Sequence, residues 1–261
     1  MLLNVLGCWG PYPAAGAAAS GYLLRSGDTK ILVDLGHGAF GVLSGLIDFR
    51  ELDAVFISHY HPDHCADLPA LRQAIKGALK DGSRTKGLLP LYVPDQPQPD
   101  FERIQICADT FIIHPYSTIR AGKVDVGPVR VEWMPVRHAM PSMALAFQAG
   151  GRRLVYTADT AFMEELVDFA RGADLLLAEA SGLDKDIEFV MDNHMTARQA
   201  GELGRRSEVR WLSLTHLFPE YDVNDLKTQA GEAFGREVLT AAEVQVYDLE
   251  EDDGRQYDAA F

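Results

Sequence analysis

A layered α/β protein is predicted by three features of the 261-residue sequence. Apolar runs of strand length alternate with stretches of helical periodicity, an acid or a histidine stands just past one such run after another, and the length permits a large buried core. Polar residues at strand ends are how α/β layers assemble a site at one sheet edge, on loops held by rigid strands. No internal repeat or linker is visible, so residues 1–261 are read as one domain.

Taken in order, residues 2–6, 20–24 and 30–35 read as strands. The first eight residues end at Cys8 much as a lipoprotein signal does, but no Lys or Arg precedes Arg25, so they are expected to be a strand. Between the first two strands lies Gly10-Pro11-Tyr12-Pro13-Ala14-Ala15-Gly16, a turn-rich stretch whose glycines fit neither standard nucleotide fingerprint. The third strand ends in Asp34 and a Gly-flanked His37, and His37 is carried forward as a candidate for lining a site.

The apolar run Ala54-Val55-Phe56-Ile57 then delivers the densest chemistry in the chain: Ser58-His59-Tyr60-His61-Pro62-Asp63-His64-Cys65. Imidazole and carboxylate together suit zinc and its neighbours in the first transition row. His59 and His61 can turn to one side of an extended chain, leaving Asp63 and His64 for a second point nearby. One metal would use only part of the set, so the loop reads as half of a two-metal site. Cys65 is expected to fill packing volume only.

Leu68, Leu71, Ile75 and Leu79 share one helical face. Residues 81–103 break regularity with two glycines and four prolines around a short strand at 91–93, and they form either a lid-like excursion or an ordinary surface one. Strands follow at 111–114, 129–136, 144–147 and 154–157, the last two joined through Gly150-Gly151 as a hairpin. His114 is read as structural. His138 ends its strand as His59 does. Asp159 follows the strand at 154–157 and could equally be the N-cap of a helix spanning 162–170, which Gly172 would close. The next strand, 174–179, ends in Glu179. Thr196 and Gln199 make a capping box for a helix running to about 205, which holds His194 just outside it. The strand 211–215 delivers His216.

Composition narrows the partners. Lys and Arg number 24 against 38 Asp and Glu, a net charge of −14, with a tail Glu250-Glu251-Asp252-Asp253. Polyanion binding depends on neutralising phosphates with a basic face, so nucleic-acid polymers are not expected as partners, although Arg152-Arg153 and Arg205-Arg206 could form local patches. A small-molecule substrate is expected instead. No stretch is long enough to cross a bilayer. Three widely spaced cysteines, Cys8, Cys65 and Cys107, argue against a disulfide framework and for a cytoplasmic protein.

His59-x-His61-x-Asp63-His64, followed by His138, Asp159 and His216, resembles the metallo-β-lactamase superfamily over nearly the whole chain, from Leu2 to about Tyr247. The resemblance implies an αββα sandwich, two sheets face to face with helices outside, and two divalent cations, most simply zinc, with manganese or iron as alternatives. It implies that His59, His61 and His138 hold the first, that Asp63, His64 and His216 hold the second, and that Asp159 bridges them. Asp159 stands where zinc β-lactamases of the common type use cysteine, and His61 where di-iron relatives usually carry glutamate, so a hydrolase branch is implied. His194-Met195-Thr196-Ala197, with Leu214-Thr215-His216 after it and Leu177-Ala178-Glu179-Ala180 before it, is similar to the ribonuclease Z group, in which the equivalents of Glu179 and His194 protonate the leaving oxygen.

That group clamps transfer RNA with a long arm between the positions matching His138 and Asp159. Here the step is only 21 positions, room for a hairpin. The expectation is therefore a phosphodiesterase acting on a small cyclic nucleotide or cyclic sugar phosphate, with Asp63 orienting the attacking water and His194 with Glu179 supplying the leaving-group proton. A tRNA 3′-processing endoribonuclease and a carboxyl-derivative hydrolase (lactonase, thioesterase or glyoxalase II-like) are the alternatives. Relatives often form dimers, so a homodimer is compatible with the resemblance, although the sequence itself does not set the oligomeric state.

Overall fold

The computed structural model describes residues 1–241, 245–250 and 256–258, and the acidic Glu251, Asp252 and Asp253 lie outside them. The first half runs β1 (Leu2–Gly7), β2 (Gly21–Ser26), β3 (Thr29–Leu35), α1 (Ala39–Leu46), β4 (Ala54–Phe56), α2 (Pro62–Cys65), α3 (Leu68–Asp81), β5 (Leu89–Val93), α4 (Gln98–Gln105) and β6 (Phe111–Pro115). The second runs β7 (Lys123–Val126), β8 (Val129–Val136), β9 (Ser142–Ala149), β10 (Arg152–Tyr156), α5 (Glu164–Phe169), β11 (Leu175–Glu179), α6 (Ile187–Val190), α7 (Ala197–Arg206), β12 (Trp211–Thr215), α8 (Val223–Phe234), β13 (Leu239–Thr240), β14 (Gln245–Asp248) and β15 (Gln256–Asp258).

These strands make two mixed sheets, ordered β15-β14-β1-β2-β3-β4-β5-β6 and β13-β12-β11-β10-β9-β8-β7. Strand alternation explains the layering. On β2, Tyr22 and Leu24 enter the core shared with Val131, Ala146 and Tyr156 of the other sheet. Leu23 between them points the other way, against Leu43 of α1 and Leu71 and Ile75 of α3. Both faces of the strand are thus apolar, as buried strands require, and each such leucine contributes roughly 1.5–3 kcal/mol relative to exposure. Helix α7 packs on β11 and β12 and against α8, which completes the α/β/β/α sandwich that the resemblance implied.

Each sheet contains a parallel block, β3 to β6 and β10 to β13. In such blocks ligands collect beyond the carboxyl ends of the strands. Three of the four non-glycine residues with positive φ among the described residues stand at those ends: Asp34 (52°), Ala158 (51°) and His216 (51°). A left-handed conformation costs such residues about 1 kcal/mol or more and persists only where the surroundings impose it. Here it swings the chain sharply off the strand and aims side chains at one point.

Several local expectations meet their structure here. Helix α3 buries Leu68, Leu71, Ile75 and Ala78 and ends at Gly82, whose φ of 78° suits glycine. The capping box opens α7: Thr196 Oγ1 accepts from Gln199 N–H, and Gln199 Oε1 accepts from Thr196 N–H. The helix expected over 162–170 is shorter, Glu164–Phe169, because Met163 is extended and serves as its N-cap. Asp159 therefore caps nothing. Within 81–103, β5 is hydrogen-bonded between β4 and β6 with Leu89, Leu91 and Val93 fully buried, and α4 begins at Gln98. The cysteines are free. No helix of the described residues is long and apolar enough to cross a membrane.

Candidate metal centre

The site is built from the loop after β4 outward. Asp34, fully buried at the end of β3, accepts from the Ser58 backbone N–H at 2.7 Å and from Ser58 Oγ–H at 2.8 Å, which fixes where the loop begins. Pro62 starts α2, a single turn that His61 precedes as N-cap and that carries Asp63 and His64. His64 Nδ1 hydrogen-bonds Asp34 Oδ2 at 2.8 Å, and the Tyr156 hydroxyl donates to the same oxygen at 2.9 Å. One buried carboxylate thus orients the loop, a histidine and the far sheet.

Three groups of side chains converge, the candidate ligand atoms of each group lying within 4.8 Å of one another: His59, His61, His138 and Asp159; Asp63, His64, Asp159 and His216; Glu179, His194 and His216. Asp159 belongs to the first two groups and His216 to the last two. All nine residues singled out in the sequence are brought together. His37 is not, because its side chain is exposed and only its backbone carbonyl is used, by Ala19 N–H. His114 stacks on Tyr92 instead (4.8 Å between centroids, 19°).

Hydrogen bonds around the first group determine which ring nitrogens keep a lone pair. His138 Nδ1 faces the Asn193 carbonyl at 2.9 Å, so it donates and leaves Nε2 bare. Ser58 Oγ–H is committed to Asp34, so it accepts from His59 Nδ1 at 3.0 Å and leaves His59 Nε2 bare as well. Both bare nitrogens point at His61 Nδ1, from 3.1 Å and 3.0 Å. His61 can offer one proton at most, so at least one pair of lone pairs stays opposed. A cation relieves that: nitrogens bound to a tetrahedral zinc at 2.0–2.1 Å lie roughly 3.4 Å apart.

The second group has the same character. His64 Nε2 and Asp159 Oδ1, 3.2 Å apart and buried, have no hydrogen-bond partner among the described residues. His216 Nδ1 donates to Ser181 Oγ at 2.8 Å, which turns Nε2 toward Asp63 Oδ2 (3.0 Å) and Asp159 Oδ2 (3.2 Å). The donor set and these orphaned atoms fit divalent cations.

Electrostatics prepares the ligands. Burial pushes His59 well below the usual imidazole range, with the charge of His64 adding to it, and burial also lowers His61 and His138. All three are thereby held neutral, the form that binds metal. Burial would raise Asp159, but His216 and His64 outweigh it and hold the carboxyl well below its usual range. Burial likewise opposes ionisation of Asp63, and its contact with His216 together with the charge of His64 prevails.

Glu179 anchors the third group. It is fully buried and accepts from Thr160 N–H and from Ser181 Oγ–H, each at 2.6 Å, and from His194 Nδ1 at 3.2 Å. Burial favours the neutral His194 ring, but the charge and hydrogen bond of Glu179 overcome it and raise the pKa to about 9. His194 also stacks on His216 (5.4 Å, 14°).

Sequence reasoning missed Asp34, Ser58, Ser181 and Gly10. Asp34 carried a signal, an acid ending an apolar strand, but the adjacent His37 drew the attention; Ser181 had none beyond following Glu179 by two positions. At Gly10 a Cβ would lie 2.0 Å from His216 Nε2. Gly10→Ala is therefore expected to displace His216 and lower metal content by elemental analysis with circular dichroism unchanged. Gly41→Ala, whose Cβ meets nothing within 4 Å, is the matched control.

Comparison with known proteins shows the family. Residues 29–217 match the family model described as a beta-lactamase superfamily domain. The probable metallo-hydrolase YhfI of Bacillus subtilis (strain 168) is 33% identical over 246 residues, covering 92% of this chain and 97% of that relative. The crystal structure of YhfI superposes with a TM-score of 0.88 at 30% identity, over 94% of this chain and 98% of that one. A ribonuclease Z of Azobacteroides pseudotrichonymphae genomovar. CFP2 is 25% identical over 283 residues, 92% of this chain and 96% of its own. With a family model that spans residues 29–217, from β3 to the loop after β12, the chain belongs to the beta-lactamase superfamily.

Proposed function

We propose that this protein is a metal-dependent hydrolase of small phosphodiesters that works with two divalent cations, most simply zinc. His59, His61 and His138 would hold one, Asp63, His64 and His216 the other, and Asp159 both. Such a pair, when bound, supplies hydroxide near neutral pH and offsets charge that builds on a phosphoryl oxygen. The observation that carries the reading is the Glu179–His194 pair beside His216: Glu179 also steadies His216 through Ser181, but the His194 ring makes no hydrogen bond to any of those candidate ligands. Attack at a carbonyl has less use for a fixed proton donor than expulsion of an alkoxide from phosphorus.

The protein's own groups then divide the work. The Asp63 carboxylate, held ionised by His216 and His64, accepts a hydrogen bond from the attacking water and orients it. His194, protonated at neutral pH, gives its proton to the leaving oxygen, and Glu179 holds the ring in place. YhfI is named a probable metallo-hydrolase and the Azobacteroides relative a ribonuclease, which supports hydrolysis and, in the second case, phosphodiester chemistry. Between His138 and Asp159 stands only the β9–β10 hairpin, and with a net charge of −14 this favours a small substrate over transfer RNA. Cytoplasmic residence and a homodimer belong to the same proposal.

Incubating the metal-loaded protein with bis-nitrophenyl phosphate, 2′,3′- and 3′,5′-cyclic nucleotides, a lactone and a thioester tests the reading. Turnover of the phosphodiesters is expected. Turnover of the lactone or thioester alone would replace it with a carboxyl-derivative hydrolase, and no turnover of any would leave a binding module.

A further inference from the structure

Past His194 and His216 the surface opens into a cavity of about 320 Å³, at the lower end of the range for small-ligand sites. Its outer walls are aromatic. Phe218 is braced edge-on by Tyr221 (5.4 Å, 68°) and by Tyr12 (5.9 Å, 77°). Both tyrosines are tethered in turn, Tyr221 O–H donating to Asp186 Oδ2 at 2.8 Å and Tyr12 O–H to Glu220 Oε1 at 3.0 Å. At the mouth, α6 presents Phe189, which at 89% is the most exposed large apolar side chain among the described residues. A phenyl ring left in water beside a cavity is surface that a ligand can cover.

The chemistry of the lining selects the ligand. None of the described lining residues is a lysine or arginine; the one cation beside the cavity, His194, stands at its inner end next to the cluster, so the aromatic outer part offers nothing to a second phosphate. A phosphodiester seated at the histidine–aspartate cluster would extend its uncharged part here. A bare sugar would need polar partners for its hydroxyls, whereas Phe189, Phe218 and Tyr221 offer ring surface. Planar heteroaromatic bases stack on such surface whatever their sequence, and the Asp186 carboxylate can accept from a base N–H.

We infer that this cavity is a nucleobase slot, which makes the substrate a nucleoside phosphodiester and not a base-free cyclic sugar phosphate. The inference takes its reaction from the phosphodiesterase reading, but base recognition can be measured separately. With the metal-loaded protein, calorimetry compares AMP with ribose 5-phosphate, and kinetics compares 3′,5′-cyclic AMP with the 3,5-cyclic phosphate of methyl riboside, which has the same leaving group. AMP is expected to bind about tenfold or more tightly than ribose 5-phosphate. Phe189→Ala, at an exposed position, and Phe218→Leu, which keeps apolar volume, should each shrink both the affinity ratio and the kcat/KM ratio toward one, chiefly through KM. Equal affinities for AMP and ribose 5-phosphate, or ratios that neither variant moves, would overturn the slot. Hydrolysis of both cyclic phosphates at equal kcat/KM also overturns the slot while upholding the phosphodiesterase reading. Tighter AMP binding with neither hydrolysed upholds the slot and removes the phosphodiesterase reading.

Discussion

Asp159→Ala is expected to lose metal from both halves of the centre and with it all measurable turnover. The carboxylate stands between the two ligand groups: Oδ2 lies 3.5 Å from His59 Nε2 and 3.8 Å from His138 Nε2, and also 3.2 Å from His216 Nε2, while Oδ1 lies 3.2 Å from His64 Nε2. Alanine leaves four imidazoles facing a void, with Asp63 the one carboxylate left among the candidate ligands. Affinity should fall by more than the roughly 10- to 100-fold that follows loss of a group behind a ligand. The fold should survive, since α5 is capped at Met163 without help from Asp159. Elemental analysis after dialysis, with circular dichroism as control, checks this, and full occupancy of both positions would take Asp159 out of the centre.

Asp159 also shows what the sequence could and could not disclose. Its position after an apolar strand was readable, but spacing alone could not separate a helix cap from a ligand. The left-handed turn at Ala158 (φ 51°) precedes a side chain that stands among the candidate ligands, and no sequence periodicity encodes that. The two sheets were legible because buried strands write apolar runs into the chain. Helix α1 was not, because Gly41 and Gly45 blunt its propensity and only Ala39 and Leu43 are buried. Helix α8 did carry a readable stripe at Leu226, Ala230 and Phe234, four residues apart, that the sequence analysis did not use. Asp34 and Ser181 escaped because what they do, fixing the tautomers of His64 and His216, depends on contacts across 30 and 35 positions of chain.

Removing the His194 side chain should act on rate and spare the metal. His194→Ala deletes a group that touches His216 by stacking and Glu179 by hydrogen bond, so metal content should equal that of the parent protein. Turnover of diesters with an alkoxide leaving group should drop by about 10²- to 10⁴-fold, the usual contribution of a placed acid. Bis-nitrophenyl phosphate, whose leaving group departs without a proton, should lose far less, and equal losses on both would remove His194 from the acid role. The pH profile adds a sign. With a pKa raised to about 9 by Glu179, the donor form is present through neutral pH and is lost as pH rises past that value, giving an alkaline limb for the alkoxide substrate only. Glu179→Gln removes the charge that overcomes burial, so the ring should shed its proton earlier and the limb should move to lower pH. A profile unmoved in Glu179→Gln would mean that the limb reports some other group, and the pair would be a packing contact behind His216.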